Sequence, residues 1–239
     1  MMPPQVSSLL MRNTPVLDKQ FHKDAIDALR AQDPTVALVF GFENTQHRSL
    51  AANLLCLSYE LENAIHIPKE PMLAAIRVQW WYDTLAEDAN KLQVNIAPLI
   101  VRLRIHIRDA QLKRDDLLTL IEAWQACAMD ETASITDAWG ECWRLVGKYL
   151  GDDKFADTAK EIAILLHAKK TSDRVGNLRL DDLYFYDLRE QAKKSRQWWL
   201  YFAAILGYHR HDDRHAFDDD LVLIWRLLGW RLFGFKTPH

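Results

Sequence analysis

Residues 33–85 read DPTVALVFGFENTQHRSLAANLLCLSYELENAIHIPKEPMLAAIRVQWWYDTL, and the spacing of their apolar side chains decides the fold class. Leu50, Leu54, Leu57, Leu61 and Ile65 recur at steps of three and four, which places them on one stripe of a long helix. Pro68 predicts the end of that helix. Glu70-Pro71 predicts the start of the next, because a proline in the first turn loses only an N–H that has no partner there. This second helix carries Leu73, Ile76, Trp80 and Leu85 and is expected to reach about Asp88. Trp80 and Trp81 diverge by about 100° around it. One is expected inside the bundle and the other against a neighbouring helix.

The same period continues on both sides. Residues 1–17 hold three prolines and no periodicity, and are expected to be an irregular leader before a single helical domain over 18–239. Pro98 predicts a helix with Leu99, Leu103 and Ile107. Asp115-Asp116 predicts one with Leu117, Leu120, Ile121 and Trp124. Ser134 or Thr136 opens another through Trp139, Trp143 and Val146, ended by Gly151. Asp152-Asp153 opens a helix with Phe155, Ala159, Ile162 and Leu166. Gly176 breaks the pattern, and residues 176–187 are expected to be a loop. Helix resumes over about Leu188 to Gly207, then a charged loop from His209 to His215, then a last helix opened by Asp218, Asp219 and Asp220. No period-two segment and no internal repeat interrupts this, so the class is all-α, a helical bundle or orthogonal array.

Composition narrows the function. The chain has 239 residues and a net charge of −3, which gives no basic footprint for nucleic acid or an acidic bilayer. Nine tryptophans favour thick helix packing or an apolar cavity. Three scattered cysteines, Cys56, Cys127 and Cys142, suit buried free thiols better than disulfides or a zinc ribbon. No apolar run reaches the roughly 18 residues of a membrane span, and Met1 to Arg12 lacks the features of a secretory signal.

Glu70-Pro71 followed by Ile76-Arg77-Val78-Gln79-Trp80-Trp81 and Asp83 resembles a run found in the squalene/phytoene synthase family. It is most similar to the divergent branch that includes a mitochondrial complex I assembly factor and its alphaproteobacterial relatives. Tyr82 stands where that family often has arginine. Gly176-Asn177-Leu178-Arg179-Leu180 and the terminal Leu223, Trp225, Arg226, Trp230 and Arg231 continue the resemblance more faintly, from about residue 33 to the end. The resemblance implies an isoprenoid (terpenoid) synthase-like helical bundle. In active members, aspartates on two facing helices hold the magnesium that neutralises a departing diphosphate.

Aligned on the Trp-Trp run, the first acidic motif falls on Glu62-Asn63-Ala64-Ile65-His66. Aligned on Gly176, the second falls on Ala168-Lys169-Lys170-Thr171-Ser172. Ala168 and Ser172 then replace both metal-binding aspartates of the second motif. No catalytic residue and no cofactor are therefore expected. The expected function is a non-catalytic binding or assembly module, with respiratory complex I assembly suggested by the branch. An active magnesium-dependent prenyltransferase is the rival, and a lipid or prenyl-chain binder is a third reading. Tyr59, Glu62, His66, Arg77, Trp80, Lys169 and Lys170 are the candidates for a retained cavity, and Trp225, Arg226, Trp230 and Arg231 for a membrane or partner surface. The expected partner is a protein or a membrane surface, with a prenyl or lipid ligand as an option. The expected setting is the cytoplasm or mitochondrial matrix, peripheral at the inner membrane; an assembly factor would be a monomer when free, and the sequence leaves the oligomeric state open.

Other features invite sharper readings. His209, His211, Asp212, Asp213 and His215 have metal-like spacing but are expected to form a solvated loop. Asp152-Asp153 and Asp181-Asp182 lack a second carboxylate one turn away and fit caps and turns.

Overall fold

The computed structural model describes residues 15–41, 43–87, 97–129, 133–151, 153–167 and 197–211, with the single positions 187, 190, 191 and 229. Every regular element among them is helical: α1 (Pro15–Gln32), α2 (Pro34–Val39), α3 (Thr45–His66), α4 (Pro71–Ala86), α5 (Pro98–Arg108), α6 (Arg114–Met129), α7 (Ile135–Leu150), α8 (Asp153–His167) and α9 (Trp198–His211). The all-α class expected from the periodicity is what the chain adopts.

Local chemistry sets the helix starts in two ways. Asp33, Asn44 and Ser134 cap α2, α3 and α7, their side chains accepting from the backbone N–H groups of Val36, His47 and Thr136. α4 and α5 have no such side-chain bond; Pro71 and Pro98 start them instead. The same device moves one expected boundary. α1 begins at Pro15, inside the stretch expected to be irregular, because proline's fixed φ suits a first helical residue.

α3 is the central helix. Leu50, Leu54, Leu57 and Leu61 are buried as the stripe predicts, and Ile65 is half-buried. From Ser49 to Ser58, however, every residue is buried, because α1, α5, α6 and α7 all pack on this stretch or its flanks. Each such leucine contributes about 1.5–3 kcal/mol by leaving water.

α7 and α8 form the closest pair. A Cβ at Gly147 would lie 3.0 Å from Cα of Ala156 and from Cβ of Ala159, so glycine is what permits the approach. Glu141 of α7 pairs with Arg144 one turn on and with Lys160 of α8 across the same pair. Gly151 ends α7 with φ −121°, without the left-handed turn that a terminal glycine usually supplies. Phe40, Trp143 and Trp199 stack with centroids 5.8–6.3 Å apart, tying the end of α2 to α7 and α9.

Two further expectations need correction. α4 buries Ala74, Val78, Trp81 and Leu85, and leaves Leu73, Ile76 and Trp80 exposed. Both rows are apolar and helical in spacing, so the period alone could not choose between them. α9 starts at Trp198 and continues to His211, taking His209 and His211 into helix where a loop is expected. Among the described residues no helix is long and apolar enough to cross a membrane.

Candidate functional site

The C-terminal half of α3 splits into two faces. Glu60, Asn63, Ala64 and Ile67 follow one another at steps of three and four, and so do Tyr59, Glu62 and His66 on another side. The first face, with Arg77, Trp80 and Trp81 of α4, lines an open groove of about 250 Å³. The floor is apolar and indole-rich. Besides the indole N–H groups, its polar side-chain groups are one carboxylate, one amide and one guanidinium. Trp80 and Trp81 meet edge to face, centroids 5.2 Å apart, so the buried indole steadies the half-exposed one.

The expected cavity residues are therefore divided. Arg77 and Trp80 come together in the groove, joined by Asn63 of the first acidic segment. Glu62 and His66 point elsewhere and pair with each other at 3.8 Å, both partly exposed. Tyr59 is half-buried, donates to Asp33 at 3.0 Å and meets Trp139 in an edge-to-face arrangement, centroids 4.7 Å apart. Glu60, Ala64, Ile67 and Trp81 are the groove residues that the sequence reading did not name as site residues. Their signal was available: Glu60 precedes Asn63 by three and Ala64 by four on one face, whereas attention to the Glu62–His66 spacing selects the other.

The opposite end of α3 holds a buried polar cluster. Arg102 donates to Oδ1 of Asn53 at 2.8 Å, so the amide nitrogen of Asn53 donates to Nε2 of His106 at 3.0 Å. Nδ1 of His106 must then carry the proton and donate to Gln111. Burial lowers the His106 pKa, with His22 and Arg102 pushing the same way and Gln111 and Asp109 opposing. The neutral ring that the hydrogen bonds require is the form that burial favours. Nδ1 of His22 meets the Ser49 hydroxyl at 2.7 Å, and Phe21 meets both imidazoles in an edge-to-face arrangement. Just before the bonded Gln111, Ala110 has φ 55°, and the N–H groups of Gln111 and Leu112 both reach the carbonyl of His106. This closes α5 in the left-handed manner for which glycine is the usual residue.

Cys56 and Cys142 are buried and Cys127 is half-buried. Burial pushes the first two thiols up to about 12 and the third to about 11, which suppresses the nucleophilic thiolate. Among the described residues no three His, Cys, Asp or Glu side chains converge as metal ligands. Magnesium fits the first acidic segment poorly: Glu62 offers one carboxylate and His66 an imidazole, a donor better suited to a transition metal.

Ala168, Lys169, Lys170 and Ser172 of the second segment lie outside the described residues, as do residues 176–180 and 181–182. So do Asp152, the cluster residues Asp212, Asp213 and His215, and the terminal Trp225, Arg226, Trp230 and Arg231. Comparison with protein-family models, with curated proteins and with solved structures finds no match to this chain.

Proposed function

We propose that this chain is a non-catalytic binding module built on an isoprenoid-synthase-like helical bundle, with the groove between α3 and α4 as a contact surface. The observation that carries this is the lining of that groove. Of the segment Glu62–His66, onto which the family resemblance aligns a metal-holding acidic motif, only Asn63 and Ala64 line the groove; Glu60 joins them from α3, and α4 adds Arg77, Trp80 and Trp81. A magnesium diphosphate needs several carboxylate oxygens converging on the metal. One carboxylate beside a guanidinium and two indoles suits a partner with an apolar body and a polar end. Following the resemblance, that partner is a subunit or intermediate of a respiratory complex, met at the periphery of a membrane from the cytoplasm or the matrix.

The test is calorimetric titration of the full chain with farnesyl diphosphate, with and without magnesium, and product analysis on the same samples. The expected result is no metal-dependent binding and no pyrophosphate release. Metal-dependent binding with pyrophosphate release would overturn the proposal in favour of an active prenyltransferase.

A further inference from the structure

We propose that the outer row of α4 is a self-association seam that joins two copies of this chain about a two-fold axis. This goes beyond the binding reading above and does not depend on it. The row lies beside the groove and shares Trp80 and Ile67 with it.

Met72 is 74% exposed and Ile76 57%, while Leu73 and Trp80 are about half exposed. Their numbers place them within roughly a third of the helix circumference. Ile67, 66% exposed, extends the patch past the start of the helix. Together these side chains present on the order of 500 Å² of apolar surface, near the top of what a monomer ordinarily shows. Two such faces with their rims reach the lower end of specific interfaces, roughly 1,200 Å² in total.

The ends of the row identify the occupant. Lys69 stands just before α4 and Asp83 near its end, both exposed. An antiparallel second α4 centred on Ile76 brings Met72 opposite Trp80, Ile76 opposite its own copy, and Lys69 opposite Asp83. A thioether then meets an indole, and opposite charges meet at both ends. Gln79 donates to Oδ1 of Asp83 at 2.7 Å, which steadies an exposed carboxylate that the lysine can meet. A patch that matches itself when reversed is what an isologous contact requires. A membrane-lying helix would instead carry cations along its rim; this row is flanked by Glu70 and Asp83 as well as Lys69 and Arg77.

Sedimentation velocity of the full chain over a wide concentration range tests the seam, with circular dichroism confirming that each variant is folded. The native chain is expected to be dimeric. Ile76→Glu places two like charges on the axis and should weaken association at least about tenfold. Lys69→Glu and Asp83→Lys should each weaken self-association severalfold, and the two variants mixed should associate with one another, because the mixed pair restores both charge contacts. A monomeric native chain overturns the proposal, as does a dimer indifferent to Ile76→Glu or single-charge variants that do not recover on mixing. A monomer that binds phosphatidylcholine–cardiolipin vesicles and loses this with Ile76→Glu also overturns it, and assigns the row to a bilayer.

Discussion

The two halves of α3 solve opposite problems with one continuous helix. From Ser49 to Ser58 it is enclosed on every side, and its polar groups are spent inward: Ser49 on His22, Asn53 on Arg102 and His106. From Glu60 to Ile67 it is enclosed on one side only, and its polar groups face a groove or solvent. The first half fixes where the helix lies. The second half, held by that anchor, can present Glu60 and Asn63 without having to hold the fold together. Rigidity at one end permits openness at the other.

The sharpest way to break this contrast is to remove the same kind of group from each half. Leu54→Ala should lower the free energy of unfolding by about 3 kcal/mol, since Leu54 is wholly buried and α1, α5, α6 and α7 leave little room to collapse. Ile67→Ala should change it by less than about 0.5 kcal/mol. Urea unfolding of both variants measures the difference, and equal losses would mean that the groove end is as structural as the anchor.

A second test titrates the anchor. Because the His106 pKa is lowered in the folded chain, the unfolded chain takes up the proton first as pH falls below 6.5. The stability it contributes is complete above that value and drains away as pH drops through the lower folded value. Unfolding midpoints at about pH 7.5 and about pH 5.5 should show this loss. His106→Gln cannot titrate. It should lose about 1 kcal/mol at the higher pH through the broken Gln111 bond and show a shallower decline.

The smallest effect has the opposite sign. Ala110→Gly should stabilise the chain by about 0.5 kcal/mol, because the left-handed conformation at φ 55° costs alanine more than glycine. A thermal midpoint that falls instead would show that the Ala110 methyl group makes a contact worth more than the strain.

Much of the fold was legible in residue order. The stripe on α3, the stop before Pro68, the prolines opening α4 and α5, and the Ser134 cap all act through neighbouring residues, so local spacing reveals them. The orientation of α4 was not legible. Leu73, Ile76 and Trp80 compete with Ala74, Val78, Trp81 and Leu85, and only the arrival of α3 and α6 decides which row is covered. The site was legible in part for the same reason. Asn63, Arg77 and Trp80 could be named from the Trp-Trp run, but Glu60 follows from which face of α3 meets α4. Tyr59 left the expected cavity because Asp33 and Trp139, far away in sequence, engage it.

The enclosure of α3 also has a consequence in time. The thiol of Cys142 on α7 reaches the carbonyl of Leu54, a contact that spans 88 residues of chain. At roughly 5–20 residues per second of synthesis, α7 follows Leu54 out of the ribosome by about 4–18 seconds. Through that interval the stretch Ser49 to Ser58, buried throughout in the folded protein, has no cover on its α7 side. The nascent chain is then a stronger candidate for chaperone capture than any later form of the protein.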